Sequence, residues 1–496
     1  MDMTYQINGG NIEFHTLKTV FHSKQKISLG EKAVASIQGC RLFLEDKLTS
    51  SDQNYYGINT GFGSLYNIPI SDVAIEALQS NLIQSHACGL GPSVDEELCR
   101  LTLILKIINL SWGHSGVRVK LVQRLCEMHN RGIIPVMFTF GSLGASGDLA
   151  PLAHLSLPLI GKGEVYYHGE RIPAADALKK ENLEPIVLKS KEGLALINGT
   201  QFTTALTTWS LMEAESIWEK ANLCCAASLD GFDCSDSPFD ARIQQVRKQP
   251  GQLKAAEQIR DWLQGSELIS QPKTHVQDPY AFRCAPQVHG ASYQVIDHAR
   301  QIITNEINSV TDNPILFPDS DVIISGGNFH AQPIALIADY LAIALAEIGS
   351  ISERRIYQLV SGGRGLPDYL VEDAGLHSGF MIAQYSAASV VNRNKILCTP
   401  ASVDSIISSK GQEDHVSMGA NAASKLTEIV ENVWDILSIE WLVAMQVLDL
   451  RKPLKSSERI NALFMDFREK VTFLTEDRVL HHDFKASKHF LRGMKA

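Results

Sequence analysis

Three long stretches with apolar residues at helical spacing, Thr203 to Asp230, Pro333 to Val360 and Lys425 to Leu450, restrict this chain to architectures that pack long helices side by side. In the third, Ile429, Val433, Ile436, Ile439 and Leu442 recur every three or four positions and so share one helical face. Strand-like pieces are short. Glu164 to Tyr167, followed by His168 and Gly169, reads as a hairpin beside the main body, and Asp321 to Ser325 reads as another strand. No internal repeat, low-complexity tract or Pro/Gly/Ser linker breaks the chain, so its 496 residues are expected to pack as one continuous unit. The expected fold is mainly α: a long central helical bundle over residues 201–496, with a smaller N-terminal globular part over residues 1–200 that carries short strands.

Charge narrows the partners. A formal net charge of -10 argues against a basic nucleic-acid footprint and against an anionic membrane surface, which leaves a small molecule as the expected ligand. The nine cysteines are scattered and never spaced as CxxC, so reduced thiols in a cytoplasmic protein are expected rather than a disulfide framework or a zinc ribbon. The N-terminus lacks a basic stretch followed by an apolar core, and the apolar run from Pro333 to Ile348 is interrupted by Asp339 and Glu347. Neither an export signal nor a membrane span is expected.

Glycines cluster at Gly57 to Gly63, Gly141 to Gly147, Gly193 to Gly199 and Gly326 to Gly327, each surrounded by polar residues, and function concentrates in such loops on a rigid scaffold. The segment from Gly141 to Asp148 runs into an apolar stretch that reads as a helix. It matches neither phosphate-loop pattern, and a nucleophile elbow centred on Ser146 would need glycine where Asp148 stands. The plain reading is a turn with Asp148 capping the helix that follows. A chemical reading competes with it. In a tightly bent backbone the Gly147 nitrogen can attack the Ala145 carbonyl, because no Cβ shields it. Loss of two waters, one from ring closure and one from the Ser146 side chain, leaves a dehydroalanine whose methylene is an electrophile that no ordinary side chain provides.

The run Gly144-Ala145-Ser146-Gly147-Asp148-Leu149-Ala150-Pro151-Leu152 resembles the signature of the aromatic amino acid ammonia-lyases, and further blocks extend the likeness over most of the chain. The resemblance implies a 4-methylideneimidazol-5-one (MIO) group formed autocatalytically from Ala145, Ser146 and Gly147 in the N-terminal part, with no metal or diffusible cofactor. It implies a homotetramer whose active sites are shared between chains. It also implies roles for residues in the other blocks. Tyr56 is the expected base for the β-proton, and such a base must sit within hydrogen-bond reach with its pKa lowered. Asn198, which by position could also cap the long helix behind it, is expected at the prosthetic group and the substrate amine. Gln277, Tyr280 and Arg283 form the substrate-carboxylate segment. Tyr280 and Arg283 fall on one side of a helical turn, and a guanidinium pairs two carboxylate oxygens in parallel. Phe329 is expected as a ring contact near the prosthetic group.

All members share the electrophile, so the groups around the substrate ring must choose the amino acid. Ser85-His86 and Gln412-Glu413-Asp414-His415 resemble the patterns of members that take histidine. A carboxylate at Glu413 can accept the imidazole N–H, and with His86 it makes a polar cradle that a phenyl ring would leave unpaired; Gln412 is expected to bind the substrate beside it. The expected activity is elimination of ammonia from L-histidine to give trans-urocanate. The competing readings are a relative acting on tyrosine or phenylalanine, and a serine hydrolase using Ser146. A fumarase-type lyase is set aside because Ser408-Ser409-Lys410-Gly411-Gln412 lacks that group's Met-Pro continuation.

Overall fold

A computed structural model describes residues 4–50, 53–71 and 74–494. The expected long helices form, running Gln201–Gly231, Gln332–Val360 and Gly419–Leu450, with a fourth at Ala285–Ile307. The Gln332–Val360 helix is long and apolar enough by composition to cross a membrane, but 67% of its most apolar window is buried inside the protein, as in a core helix.

Two compact units divide the chain, and each draws on three separate segments. The first comprises Met1–Trp209, Arg300–Asp339 and Pro400–Ser424. All the described strands lie in it, in small sheets of two or three strands. Glu164–Tyr167 pairs antiparallel with Glu170–Pro173, and the two-residue turn between them has His168 at φ +52° and Gly169 at φ +82°. Positive φ at both central positions matches the right-handed twist of the flanking strands. Val322–Ile324 pairs antiparallel with Ile315–Phe317. The Glu96–Ser111 helix is apolar nearly all round and buried from Leu98 to Ser111, so it forms part of this unit's core. One cation, Lys106, sits in its middle with no exposed surface.

The second unit comprises Ser210–Ala299, Tyr340–Thr399 and Lys425–Ala496, and its described elements are helical. A fully buried ion pair lies within it. Arg355 Nη2 donates to Glu440 Oε2 at 2.9 Å, and Glu440 also accepts from Ser228 Oγ at 2.9 Å and from Ser352. Removing one member strands the other's charge in the interior, which costs about 3–5 kcal/mol. Glu440→Ala is therefore expected to lower the thermal unfolding midpoint by several degrees in calorimetry. Glu428→Ala, which breaks only the exposed pair with Arg393, is expected to leave the midpoint close to wild type.

Candidate active site

The Gly141–Asp148 segment joins the Phe138–Phe140 strand to the Leu149–Ser156 helix. Its backbone is left-handed at Gly144 (φ +85°), Ser146 (φ +54°) and Gly147 (φ +79°). Gly144 and Gly147 bridge each other, and Gly147 also bridges Gly199. Gly199 N–H donates to the Ser146 carbonyl at 3.3 Å, and Asp148 N–H donates to the Gly199 carbonyl at 2.7 Å. A Cβ on Gly147 would stand 2.1 Å from the Gly199 oxygen, so only glycine fits there.

Asp148 is fully buried, and its side chain does cap a helix, but not the one that follows it. Its carboxylate accepts from Thr203 N–H at 2.8 Å and Thr203 Oγ at 2.7 Å, satisfying the first turn of the Gln201–Gly231 helix, while Leu149–Ser156 has no side-chain cap. Ser142 Oγ lies 3.1 Å from the same carboxylate. Burial pushes the Asp148 carboxyl above its ordinary pKa, and the bonds from Thr203 and Ser142 oppose that rise.

Ser146 lines two cavities, of about 460 and 280 Å3. Tyr56 and Glu413 line both; His86, Asn81 and Ser85 line the larger, and Phe329, Gln412 and Asn313 the smaller. Gly63 N–H donates to Tyr56 Oη at 3.1 Å, which favours the phenolate, yet burial raises the phenol pKa and nearby Glu413 raises it further. The lowered pKa demanded of a base is thus not met by this environment. His86 Nδ1 lies 2.9 Å from the Leu82 carbonyl; a carbonyl only accepts, so Nδ1 carries the proton and Nε2 is left as an acceptor. Burial lowers the His86 pKa and keeps the ring neutral. Glu413 accepts from Ser408 Oγ at 2.7 Å, and Ser64 N–H donates to Ser409 Oγ at 3.1 Å, tying the Tyr56 loop to the Glu413 turn.

Asn198 is buried and does not cap the long helix. Its Nδ2 donates to the Asn313 carbonyl at 3.1 Å and to Asp312 Oδ1 at 3.3 Å, while its Oδ1 finds no partner among the described residues. Asp312 pairs with Lys191 at 2.7 Å, both fully buried, and Lys106 Nζ donates to the Asn198 carbonyl at 2.8 Å and the Ala195 carbonyl at 3.2 Å. Burial lowers the Lys106 pKa to about 7, against the upward pull of Asp312. Sequence reasoning missed these three ions. The signal for Lys106 was present, a single charge inside the apolar run from Leu101 to Leu110.

Gln277, Tyr280 and Arg283 belong to the second unit, and none of them lines either Ser146 cavity. Tyr280 is 70% exposed, and the Arg283 guanidinium lies over its ring at 4.5 Å, as expected for one side of a helical turn. Arg283 Nε donates to the Asp278 carbonyl at 3.0 Å. Among the described residues no set of three His, Cys, Asp or Glu side chains is placed to hold a metal.

The family model described as aromatic amino acid lyase matches residues 12–469. The histidine ammonia-lyase of Symbiobacterium thermophilum is 48% identical over 89% of this chain and 87% of that protein, and the one from Anaeromyxobacter sp. (strain K) is 46% identical over 97% of each. Among solved structures, histidine ammonia-lyase from Trypanosoma cruzi superposes with a TM-score of 0.91 at 39% identity, covering 99% of this chain and 93% of that one. Tyrosine aminomutase from Streptomyces globisporus gives 0.94 at 32% identity, covering 99% and 97%. With a family match over nearly its whole length and a fold shared from end to end, the chain belongs to the aromatic amino acid lyases.

Proposed function

We propose that this chain removes ammonia from L-histidine to give trans-urocanate, using an electrophile made from its own Ala145, Ser146 and Gly147. The observation that carries the reading is the left-handed Ser146, pinned between two glycines and lining cavities shared with Tyr56, His86 and Glu413. The names of its relatives favour histidine over other amino acids.

The turn fits the MIO group. Ring closure joins the Gly147 nitrogen to the Ala145 carbonyl carbon. The first water takes that carbonyl oxygen with the amide hydrogens of Ser146 and Gly147; the second takes the Ser146 hydroxyl with its α-hydrogen. Ser146 and Gly147 are both left-handed, as a tight turn requires, and Gly147 offers a nitrogen without a neighbouring Cβ. Asn198 lines neither Ser146 cavity, and its buried Oδ1, without a partner among the described residues, is the acceptor the turn holds in reserve behind Gly199. Once formed, the group supplies an electrophilic methylene that activates the substrate for loss of ammonia.

The remaining steps use ordinary side chains. The Glu413 carboxylate accepts the imidazole N–H and so fixes the tautomer; His86 shares the larger cavity with it, and Gln412 and Phe329 line the smaller one. Tyr56 Oη removes the β-proton. Arg283, with Gln277 and Tyr280, holds the substrate carboxylate and comes from a second copy in a cytoplasmic homotetramer. The exposure of Tyr280 and a guanidinium with no carboxylate partner among the described residues support that assignment.

Two outcomes follow. A phenol with a raised pKa is ionised only in small part at neutral pH, and the ionised share grows about tenfold per pH unit. Because Tyr56 must lose its proton to act, kcat/KM for urocanate formation is expected to climb from pH 7 to about 9. Tyr56→Phe should lower kcat by roughly 10²- to 10⁴-fold with the two waters still lost; an unchanged kcat would remove Tyr56 from the reaction. For the shared site, Ser146→Ala and Arg283→Ala are each expected to be nearly inactive alone. Co-expressed, they should regain activity at about a quarter of the sites by random mixing. No recovery would place Arg283 and Ser146 of one site on the same chain.

A further inference from the structure

Beneath the Asn198-Gly199 turn lies a buried ionic floor that no step of the proposed reaction uses. Lys106 rises from the middle of the Glu96–Ser111 helix and is fully buried. Its ammonium touches two carbonyls, those of Ala195 and Asn198, at the C-terminal end of the Glu192–Ile197 helix. A donor there satisfies carbonyls that have no helical partner. Asp312, held by Lys191, takes the Asn198 side-chain amide from the other side. Asn198 is thus fixed through both its backbone and its side chain. The next residue, Gly199, is the strip of backbone against which the turn is registered: it donates to Ser146, accepts from Asp148 and bridges Gly147.

Burying the Lys106 amine and the Lys191–Asp312 pair carries a desolvation cost that apolar packing would avoid, so the floor is best explained by what it holds in place. We propose that Lys106 is a positioning residue for self-processing: it fixes the Asn198-Gly199 strip as the template that keeps the Ala145–Gly147 turn bent for ring closure. This rests on the electrophile proposed above. Lys106 does not touch the reacting atoms; it acts through Asn198 and Gly199, so its loss impairs formation of the group before any substrate binds.

The test is intact-mass analysis of the purified full-length chain, with thermal melting as the fold control. Lys106→Met keeps an unbranched side chain one atom shorter and removes the donors. It is expected to remain folded while the share of chains lacking two waters falls by about tenfold or more, as displacement of a pre-set geometry predicts. Lys106→Gln keeps an amide donor for the same carbonyls and should fall between Met and wild type. Complete loss of two waters in folded Lys106→Met overturns the proposal. Should that variant be insoluble, Lys106→Gln decides: partial dehydration supports the role and complete dehydration overturns it. A wild-type chain that keeps its full mass would instead contradict the electrophile itself, so the two failures are distinguishable.

Discussion

A serine held in left-handed backbone between Gly144 and Gly147 is the constraint on which the rest of the site depends. Such a residue costs on the order of 1–3 kcal/mol and persists only where its surroundings over-determine it. Here the surroundings are specific. Gly199 registers the turn from one side, and Asp148 anchors its end by tying it to the first turn of the Gln201–Gly231 helix. The long helix that dominates the sequence pattern is thus also a clamp on the turn, so scaffold and candidate site are fastened by one buried carboxylate.

The electrostatics around the turn fall into two parts. Below it, Lys106 and the Lys191–Asp312 pair are completely buried, and their desolvation is offset by a 2.7 Å ion pair and by bonds to Asn198. In front of it, Tyr56, His86 and Glu413 are only partly buried and face open cavity. Burial favours neutral His86, and burial likewise favours protonated Tyr56, which does not suit a base. The proposed second copy, carrying Arg283, would bring positive charge to the open side of such a site, and a neighbouring cation favours the phenolate.

Much of the fold was legible because it is written in periodicity. The long helices, the Glu164–Tyr167 hairpin and the strand near Val322 all follow from local patterns of apolar residues and turn residues. The glycine clusters likewise pointed to the loops that meet around Ser146, and Tyr56, His86, Phe329, Gln412 and Glu413 do line its cavities. What local pattern could not reveal is where a side chain finds its partner. Asp148 looked like a cap for the adjacent helix because the competing N-terminus, at Thr203, is 55 residues away. Asn198 looked like a cap for the helix behind it, but Asp312 and Asn313, more than a hundred residues on, claim its amide. For Tyr56, the expected lowering depends on every charge packed around the ring, which spacing cannot supply.

The most direct test of the central claim is the steady-state kcat/KM of the wild-type chain on L-histidine, followed by urocanate absorbance, against L-tyrosine and L-phenylalanine under the same conditions, with Ser146→Ala as the control. Preference for histidine by about 100-fold or more, lost in Ser146→Ala, is the predicted result, since a phenyl ring offers the Glu413 carboxylate no N–H to accept. Preference for tyrosine or phenylalanine would contradict the reading of that polar cradle, and turnover surviving in Ser146→Ala would contradict the electrophile.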